Sequence, residues 1–99
     1  MKKLTPHYTL SEIQAQMVTV DSMNLSIVAG IGIRKAGMLE EDALAVVASL
    51  TSVNFYKSMT TYADENVWQD VYHGKHGEID LYVKFQLAEN YFVISFKEK

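Results

Sequence analysis

The sequence predicts an α+β fold, in which helices from the first half of the chain pack on one face of an antiparallel sheet formed by the second half. Apolar residues recur at helical spacing over about residues 9–53, whereas about residues 55–99 are rich in β-branched and aromatic types and alternate between apolar and polar. The strand segments are joined by short links, as in hairpins, which connect antiparallel neighbours. At 99 residues the chain has room for one modest core, so residues 1–99 are expected to form a single domain.

The composition is that of an ordinary globular protein, with 48% hydrophobic and 21% charged residues. No apolar run approaches the roughly 20 residues that cross a bilayer, and no secretory signal opens the chain, so we expect a cytoplasmic protein without a membrane partner. Cysteine is absent, which excludes disulfides and thiolate metal sites. The net charge is −3, so RNA binding would require a local cluster of basic residues.

Two of the predicted helices have recognisable starts. Thr9 and Glu12 have the spacing of a capping box, which predicts a helix over about residues 10–17. Acidic residues 40–42 place negative charge at the positive end of a helix dipole, which predicts another helix that begins there. The apolar side chains that recur along one stripe of this later helix are Leu44, Val47 and Leu50.

A further helix is predicted between these two, from about Asn24 to Ala36. It would end at Gly37, because glycine is the residue that most often follows a helix. Gly30 and Gly32 weaken this prediction, since glycine in a helix interior costs about 1 kcal/mol relative to alanine.

Four strands are predicted in the second half, over residues 57–62, 67–73, 79–88 and 91–97. Polar or glycine-containing segments separate them and are typical of tight turns. The four strands should therefore form a meander, in which each strand pairs with the next one along the chain. The turn segments are Asp64-Glu65-Asn66, Gly74-Lys75-His76-Gly77 and Glu89-Asn90.

Alternation along the last two strands separates an apolar side of the sheet from a polar one. The apolar side, which should lie against the helices, takes alternate residues from Ile79 to Leu87 and from Phe92 to Phe96. Lys57 can join the opposite side, whereas alternation alone does not assign Gln69 to either side. We call the opposite side the polar face; it carries Tyr82, Lys84, Gln86, Ser95 and Lys97.

Two other features have ordinary structural explanations. The histidines of His73-Gly74-Lys75-His76 suggest a metal pair or a general base, but a hairpin tip with two glycines, Gly74 and Gly77, is more typical of a simple turn. No third ligand is evident, so no metal site is predicted. Trp68 has a side chain suited to stacking on a nucleic-acid base, but burial in the core is the more common role of tryptophan.

Three motifs resemble one known family. They are FYKSMTTY at residues 55–62, WQDVY at residues 68–72 and VISFKEK at residues 93–99. All three are similar to the motility quorum-sensing regulator (MqsR) toxins, which are mRNA interferases of bacterial type II toxin–antitoxin pairs. The segment around His7 resembles the family as well. The similarity is dense over residues 55–99 and looser over residues 8–54.

The resemblance implies a RelE-like fold and ribosome-independent cleavage of single-stranded mRNA at short GC-containing sites, without a metal or another cofactor. The family's functional lysine, glutamine and tyrosine fall on Lys57, Gln69 and Tyr82, which we expect to be catalytic. A further family lysine falls on Lys97, which, with Lys84 on the polar face, is expected to bind RNA. The resemblance also implies an antitoxin partner that binds zinc and DNA, so that the toxin contacts DNA only indirectly.

These residue types suit RNA cleavage without a metal. The 2′-hydroxyl attacks the adjacent phosphate, which requires a proton acceptor, a proton donor for the leaving 5′-oxygen and cations for the developing charge. Lys57 and Lys97 can supply the charge, and because lysine ordinarily keeps its proton at pH 7, electrostatic stabilisation is favoured for Lys57 over a role as base. Tyr82 can donate or accept a proton, and Gln69 can orient the phosphate or a base edge.

An alternative hypothesis is a toxin-fold binding module without catalytic activity, which acts only through an antitoxin on transcription. The presence of all four polar residues of the family favours the endoribonuclease. The two hypotheses predict opposite outcomes when purified protein is incubated with a defined mRNA in EDTA.

Overall fold

Three helices and five strands make up the protein in a computed structural model that describes all 99 residues. The α+β class predicted from the sequence is confirmed. None of the helices has the length and apolar character that crossing a membrane requires. The helices are α1 (Leu10–Gln16), α2 (Ile27–Lys35) and α3 (Glu40–Ser49), and the strands are β1 (Lys2–Lys3), β2 (Phe55–Thr60), β3 (Trp68–His76), β4 (Ile79–Ala88) and β5 (Tyr91–Glu98).

The sheet follows the predicted meander and gains one strand. Its spatial order is β1-β2-β3-β4-β5, and every neighbouring pair is antiparallel. The additional strand, β1, pairs with the outer edge of β2 through Lys2 and Met59. The Met1 α-amino group extends this pairing by donating a hydrogen bond to the Thr60 hydroxyl at 2.8 Å. Two residues are too few to show strand alternation, which is why the sequence did not predict β1.

The hairpin between β3 and β4 is tighter than predicted. The expected turn began at Gly74, but β3 continues to His76, and only Gly77 and Glu78 connect it to β4. Gly77 has a φ of 59°, a left-handed conformation that glycine adopts without strain. The prediction of a turn at Gly74 is wrong because glycine is needed there for packing: an added Cβ would lie 2.8 Å from Val46 of α3.

The start of α2 is later than predicted because the preceding residues join the edge of β5. The Ser26 N–H donates to the Ile94 carbonyl, and the Ile94 N–H donates to the Asn24 carbonyl, both at 3.0 Å. The helix begins after Ser26, whose hydroxyl accepts a hydrogen bond from the Ala29 N–H at 3.0 Å. Gly37, with a φ of 71°, follows the helix end as predicted.

Gly32 allows α2 to lie directly against β5. A Cβ atom at this position would overlap the carbonyl oxygen of Phe96, and a backbone atom cannot move aside easily. Gly30 is different, since the nearest atom to an added Cβ is 3.6 Å away, on the flexible side chain of Arg34. One of the two glycines that weakened the helix prediction is therefore required by close packing.

The other two helices also differ in how they begin. At α1 the predicted capping box is absent, because the Thr9 side chain makes no capping hydrogen bond and only its carbonyl accepts the Ile13 N–H, at 3.2 Å. At α3 the acidic start is confirmed, and the Asp42 carboxylate accepts the Leu39 N–H at 2.9 Å. The acidic first turn is therefore the better of the two start signals in this chain.

The helices cover one face of the sheet and leave the other open. The core is a cluster of 17 buried residues that includes members of all three helices and of β3, β4 and β5. Alternate residues of the last two strands face this core as predicted, and Phe85 and Ile94 are fully buried. Leu87 is an exception, with 39% of its surface exposed, because it lies close to the turn at the end of β4.

Candidate active site

The strand register arranges the polar face in three rows of directly opposed residues. Each row runs across neighbouring strands, and successive rows lie about 7 Å apart along a strand. We name them the amide row, the lysine row and the tyrosine row. The amide row is Met59, Gln69, Gln86 and Val93; the lysine row is Lys57, Val71, Lys84 and Ser95; and the tyrosine row is His73, Tyr82 and Lys97.

A β-bulge in β2 brings two consecutive side chains to the polar face. The register with β3 shifts between Phe55 and Lys57, so Tyr56 has no partner of its own. The Tyr56 ring centroid lies 4.5 Å from that of His73 and 6.1 Å from that of Tyr82. Lys57 Nζ lies 5.1 Å from the centroid of the Tyr56 ring. The bulge thus places Lys57 on the polar face, in agreement with the sequence-based expectation. It also brings Tyr56 to the same face, which strand alternation does not predict.

Four of the predicted site residues line one open pocket of about 250 Å³. Within it, Tyr82 and Lys97 are directly opposed across β4 and β5. None of its lysines forms an ion pair with an acidic side chain. We call this the lysine pocket; the predicted site residues that line it are Lys57, Tyr82, Lys84 and Lys97.

The charge around the lysine pocket is positive although the chain as a whole is acidic. Its three rows contain three lysines and no aspartate or glutamate. The acidic residues 40–42 begin α3, which packs on the opposite side of the sheet. The Asp80 carboxylate lies beside His73, at the edge of these rows. Ammonium groups that form no ion pair attract phosphate, so the net charge of −3 does not prevent local binding of RNA.

Gln69 lies on the polar face, which resolves the assignment that alternation left open. It stands opposite Gln86, and its Nε2 donates a hydrogen bond to Gln86 Oε1 at 2.9 Å. Both amides line a second depression, of about 320 Å³, which adjoins the lysine pocket at Lys84. Gln69 is therefore two rows away from Tyr82, beside the lysine pocket rather than within it.

His73 is a candidate site residue that the sequence did not predict. It stands opposite Tyr82 with the ring centroids 5.5 Å apart, and its Nε2 is buried without a hydrogen-bond partner. Burial lowers the pKa of His73, the Lys99 ammonium lowers it further, and the Asp80 carboxylate opposes the shift. The imidazole is therefore neutral at pH 7 and able to accept a proton.

The two histidines of β3 face opposite sides of the sheet. His73 lies on the polar face, whereas His76 lies on the helix side, with its Nε2 3.9 Å from Asp42 Oδ2. These two side chains cannot bind one metal ion together across the sheet. No group of three or more His, Asp or Glu side chains is arranged to hold a metal ion.

The helix side of β3 anchors the N-terminal segment. The Asp70 carboxylate is fully buried and accepts hydrogen bonds from the Ser58 hydroxyl at 2.6 Å and from the backbone N–H groups of His7 at 3.0 Å and Tyr8 at 2.9 Å. The His7 ring stacks on Trp68 with 5.1 Å between centroids. Trp68 is half-buried under this segment and is not part of the core, so the expectation of core burial is wrong.

Comparison with known proteins shows similarity along the whole chain. The family described as "Motility quorum-sensing regulator, toxin of MqsA" matches residues 5–98. The protein belongs to this family. The relative named "mRNA interferase toxin MqsR", from Escherichia coli (strain K12), is 33% identical over 99 residues, which cover all of both chains. The family resemblance indicated by the three motifs is therefore confirmed. It also extends over the helical half, where the similarity to the family was looser.

Membership in the motility quorum-sensing regulator family makes the protein the toxin of a toxin–antitoxin pair. The structure places the family motifs on both sides of the sheet. Asp70 of WQDVY holds the segment around His7 on the helix side of β3, whereas Gln69 of the same motif lies on the polar face. FYKSMTTY and VISFKEK instead contribute Lys57 and Lys97 to the lysine pocket.

Proposed function

We propose that the protein is an endoribonuclease that cuts single-stranded mRNA on the polar face, without a ribosome and without a metal ion. The observation that carries the proposal is the lysine pocket, in which Lys57, Lys84 and Lys97 surround Tyr82 with no acidic side chain among them. Similarity to a relative named as an mRNA interferase toxin supports it. From the family resemblance we further propose cleavage at short GC-containing sites in the cytoplasm.

Charge stabilisation is the main contribution of the lysine pocket in this proposal. Attack of the ribose 2′-oxygen on the adjacent phosphorus forms a 2′,3′-cyclic phosphate, breaks the bond to the 5′-oxygen and passes through a phosphorane-like state with added negative charge. Ammonium groups at Lys57 and Lys97 stabilise that charge on the phosphoryl oxygens, which in comparable sites lowers the barrier by roughly 3 kcal/mol per donor.

Proton transfer falls to the tyrosine row. The neutral imidazole of His73 accepts the proton of the 2′-hydroxyl, and the Tyr82 phenol donates a proton to the leaving 5′-oxygen. His73 then returns its proton to Tyr82, whose ring centroid is 5.5 Å from its own, and the starting state is restored. A histidine suits the accepting role at pH 7, whereas lysine and tyrosine ordinarily keep their protons.

The partner in this proposal is an antitoxin that binds zinc with a toxin-contacting domain and DNA with another domain. The toxin then reaches DNA only through the antitoxin. The family description, which names a toxin of MqsA, supports the pairing.

The test is incubation of the purified protein with a defined mRNA in EDTA and without ribosomes, followed by mapping of the RNA ends. Wild-type protein should cut, and Lys57→Ala and Tyr82→Phe should each cut roughly 100-fold more slowly. Lys3→Ala is the matched control, because Lys3 lies on the helix side, with its Nζ 4.4 Å from the Trp68 ring centroid. Uncut RNA at every protein concentration would refute the enzyme and favour a catalytically silent binding module. Equal activity in Lys57→Ala would refute the site assignment.

A further inference from the structure

We propose that Gln69 and Gln86 form a base-reading site beside the lysine pocket, where one nucleobase binds by its hydrogen-bonding edge. The inference rests on the proposed function and names the part of the substrate that the amide row takes. Both side chains line the depression of about 320 Å³ that adjoins the lysine pocket at Lys84. An RNA strand with one phosphate on the lysine row therefore brings a neighbouring base within reach of Gln69 and Gln86.

The two amides hold each other in one orientation and still keep free hydrogen-bonding groups. A primary amide has two N–H donors and a carbonyl with two lone pairs. The bond from Gln69 Nε2 to Gln86 Oε1, at 2.9 Å, occupies one donor and one lone pair. The carbonyl of Gln69 and the amino group of Gln86 have no partner in the protein. Because the pair is already ordered, binding costs less side-chain entropy than it would with two free glutamines.

This arrangement matches a base better than it matches a phosphate. Phosphate oxygens only accept hydrogen bonds, whereas base edges present donors and acceptors together, as the amide pair does. Met59 and Val93 flank the amides in the same row and offer apolar surface to the face of a base. Single-stranded RNA can present such an edge, because its bases are free to turn away from the chain.

The inference gives Gln69 a role different from catalysis. A neutral amide neither accepts nor releases a proton at pH 7, and Gln69 lies two rows from Tyr82. Its contribution is then to choose which base lies beside the cleaved bond. Gln86 shares this role, because the register of β3 and β4 places it opposite Gln69.

The experiment uses a randomised pool of 2′-O-methyl RNA, which cannot be cut because it lacks the attacking hydroxyl. RNA bound to the purified protein is sequenced, and the enrichment of each base at each position is compared with that of the starting pool. Wild-type protein should enrich particular bases at one position. Gln86→Met should reduce that enrichment by roughly 10-fold or more and should still bind RNA through the lysines.

Two further variants complete the comparison. Gln16→Met is the control, because Gln16 is an exposed glutamine of α1, outside the three rows, and it should keep the wild-type preference. Gln86→Asn keeps an amide but shortens its reach, and it replaces Gln86→Met if thermal melting shows that the latter does not fold. Either Gln86 variant should lose the preference.

Base reading and cleavage can fail separately. An unchanged preference in a folded Gln86 variant, or no base preference in wild-type protein, would overturn base reading while leaving cleavage intact. A preference that depends on Gln86, in a protein that does not cut unmodified RNA, would support base reading and refute the endoribonuclease. Wild-type protein that binds no RNA would overturn both.

Discussion

The two sides of β3 show two different uses of polar residues within one five-residue motif. On the helix side, Asp70 is fully buried and its carboxylate is satisfied by three donor groups. On the polar face, the neighbouring residue Gln69 keeps a free carbonyl. Lys57 and Lys84, which lie opposite Val71 on the two adjacent strands, form no ion pair. His73, on the same face, keeps a buried nitrogen without a partner.

The difference indicates which polar residues maintain the fold and which are available for substrate. A buried carboxylate is tolerated only when its hydrogen bonds are complete, so the Asp70 network fixes the N-terminal segment on the sheet. The free amide groups of Gln69 and Gln86 and the ammonium groups of the lysine pocket lack internal partners, so they contribute little to stability and are open to a ligand. Substitutions on the two sides should therefore affect different properties, stability on one side and RNA on the other.

The largest expected difference is between two adjacent residues, Asp70 and Gln69. Asp70→Ala leaves the Ser58 hydroxyl and two backbone N–H groups without an acceptor, and it should lower the free energy of unfolding by about 3 kcal/mol or more. Gln69→Ala should change it by less than about 1 kcal/mol while altering RNA recognition. Urea unfolding of both variants measures the contrast. Similar destabilisation by the two substitutions would contradict the assignment of roles.

The second contrast concerns the two glycines of α2, one of which faces the sheet. Gly32→Ala should destabilise the protein by about 2 kcal/mol, since the new methyl group overlaps the Phe96 carbonyl. Gly30→Ala has open space and should be neutral or stabilising by up to about 1 kcal/mol. Thermal melting compares the two variants directly. Tolerance of Gly32→Ala would mean that α2 does not lie this close to β5, the strand that carries Lys97.

An alkaline titration tests the burial of the helix side. Burial raises the pKa of Tyr72 from 10.0 to about 12, and the Asp70 carboxylate adds to the shift. The folded protein keeps this proton where the unfolded chain loses it, so the stabilisation is complete below pH 10 and is lost as the pH rises from 10 to 12. Urea unfolding over this range should show a decline that is smaller in Tyr72→Phe. An identical decline in the variant would show that the phenol is not responsible.

The smallest expected effect is a pH dependence at His73 on the polar face. Its pKa lies below 6.5 in the folded protein because of burial and Lys99, so the unfolded chain binds the proton more readily. Stability from this residue is complete above pH 6.5 and declines as the pH falls below it. Cleavage should decline over the same range, since protonated imidazole cannot accept a proton.

The variant His73→Gln tests both effects. It should remove the decline in stability at low pH and should slow cleavage at all pH values, whereas His76→Gln should not slow cleavage. A His73→Gln variant that cuts at the wild-type rate would exclude proton transfer by His73.

The parts of the fold that sequence predicted are those set by local chemistry. Alternation in β4 and β5 separated the two faces and placed Tyr82, Lys84 and Lys97 together. The acidic start of α3 and the glycine after α2 also marked helix boundaries correctly, whereas the capping spacing at Thr9 did not.

The parts that sequence did not predict depend on pairing between distant segments. The bulge that joins Tyr56 to Lys57 exists only in the register between β2 and β3. The side taken by Gln69 is fixed by its pairing with Gln86, and Gly74 is required in the strand by α3. His73 shares its side of β3 with Gln69, so its place on the polar face also depends on the pairing of β3 with β4.

The most direct test of the account compares two adjacent side chains on opposite faces by NMR. Titration with an uncleavable 2′-O-methyl RNA should shift the side-chain amide resonance of Gln69, which lies on the polar face. The indole N–H resonance of Trp68, one residue earlier and on the helix side, should remain in place. A shift of the Trp68 resonance with no change at Gln69 would show that RNA binds the other side of the sheet and would contradict the account.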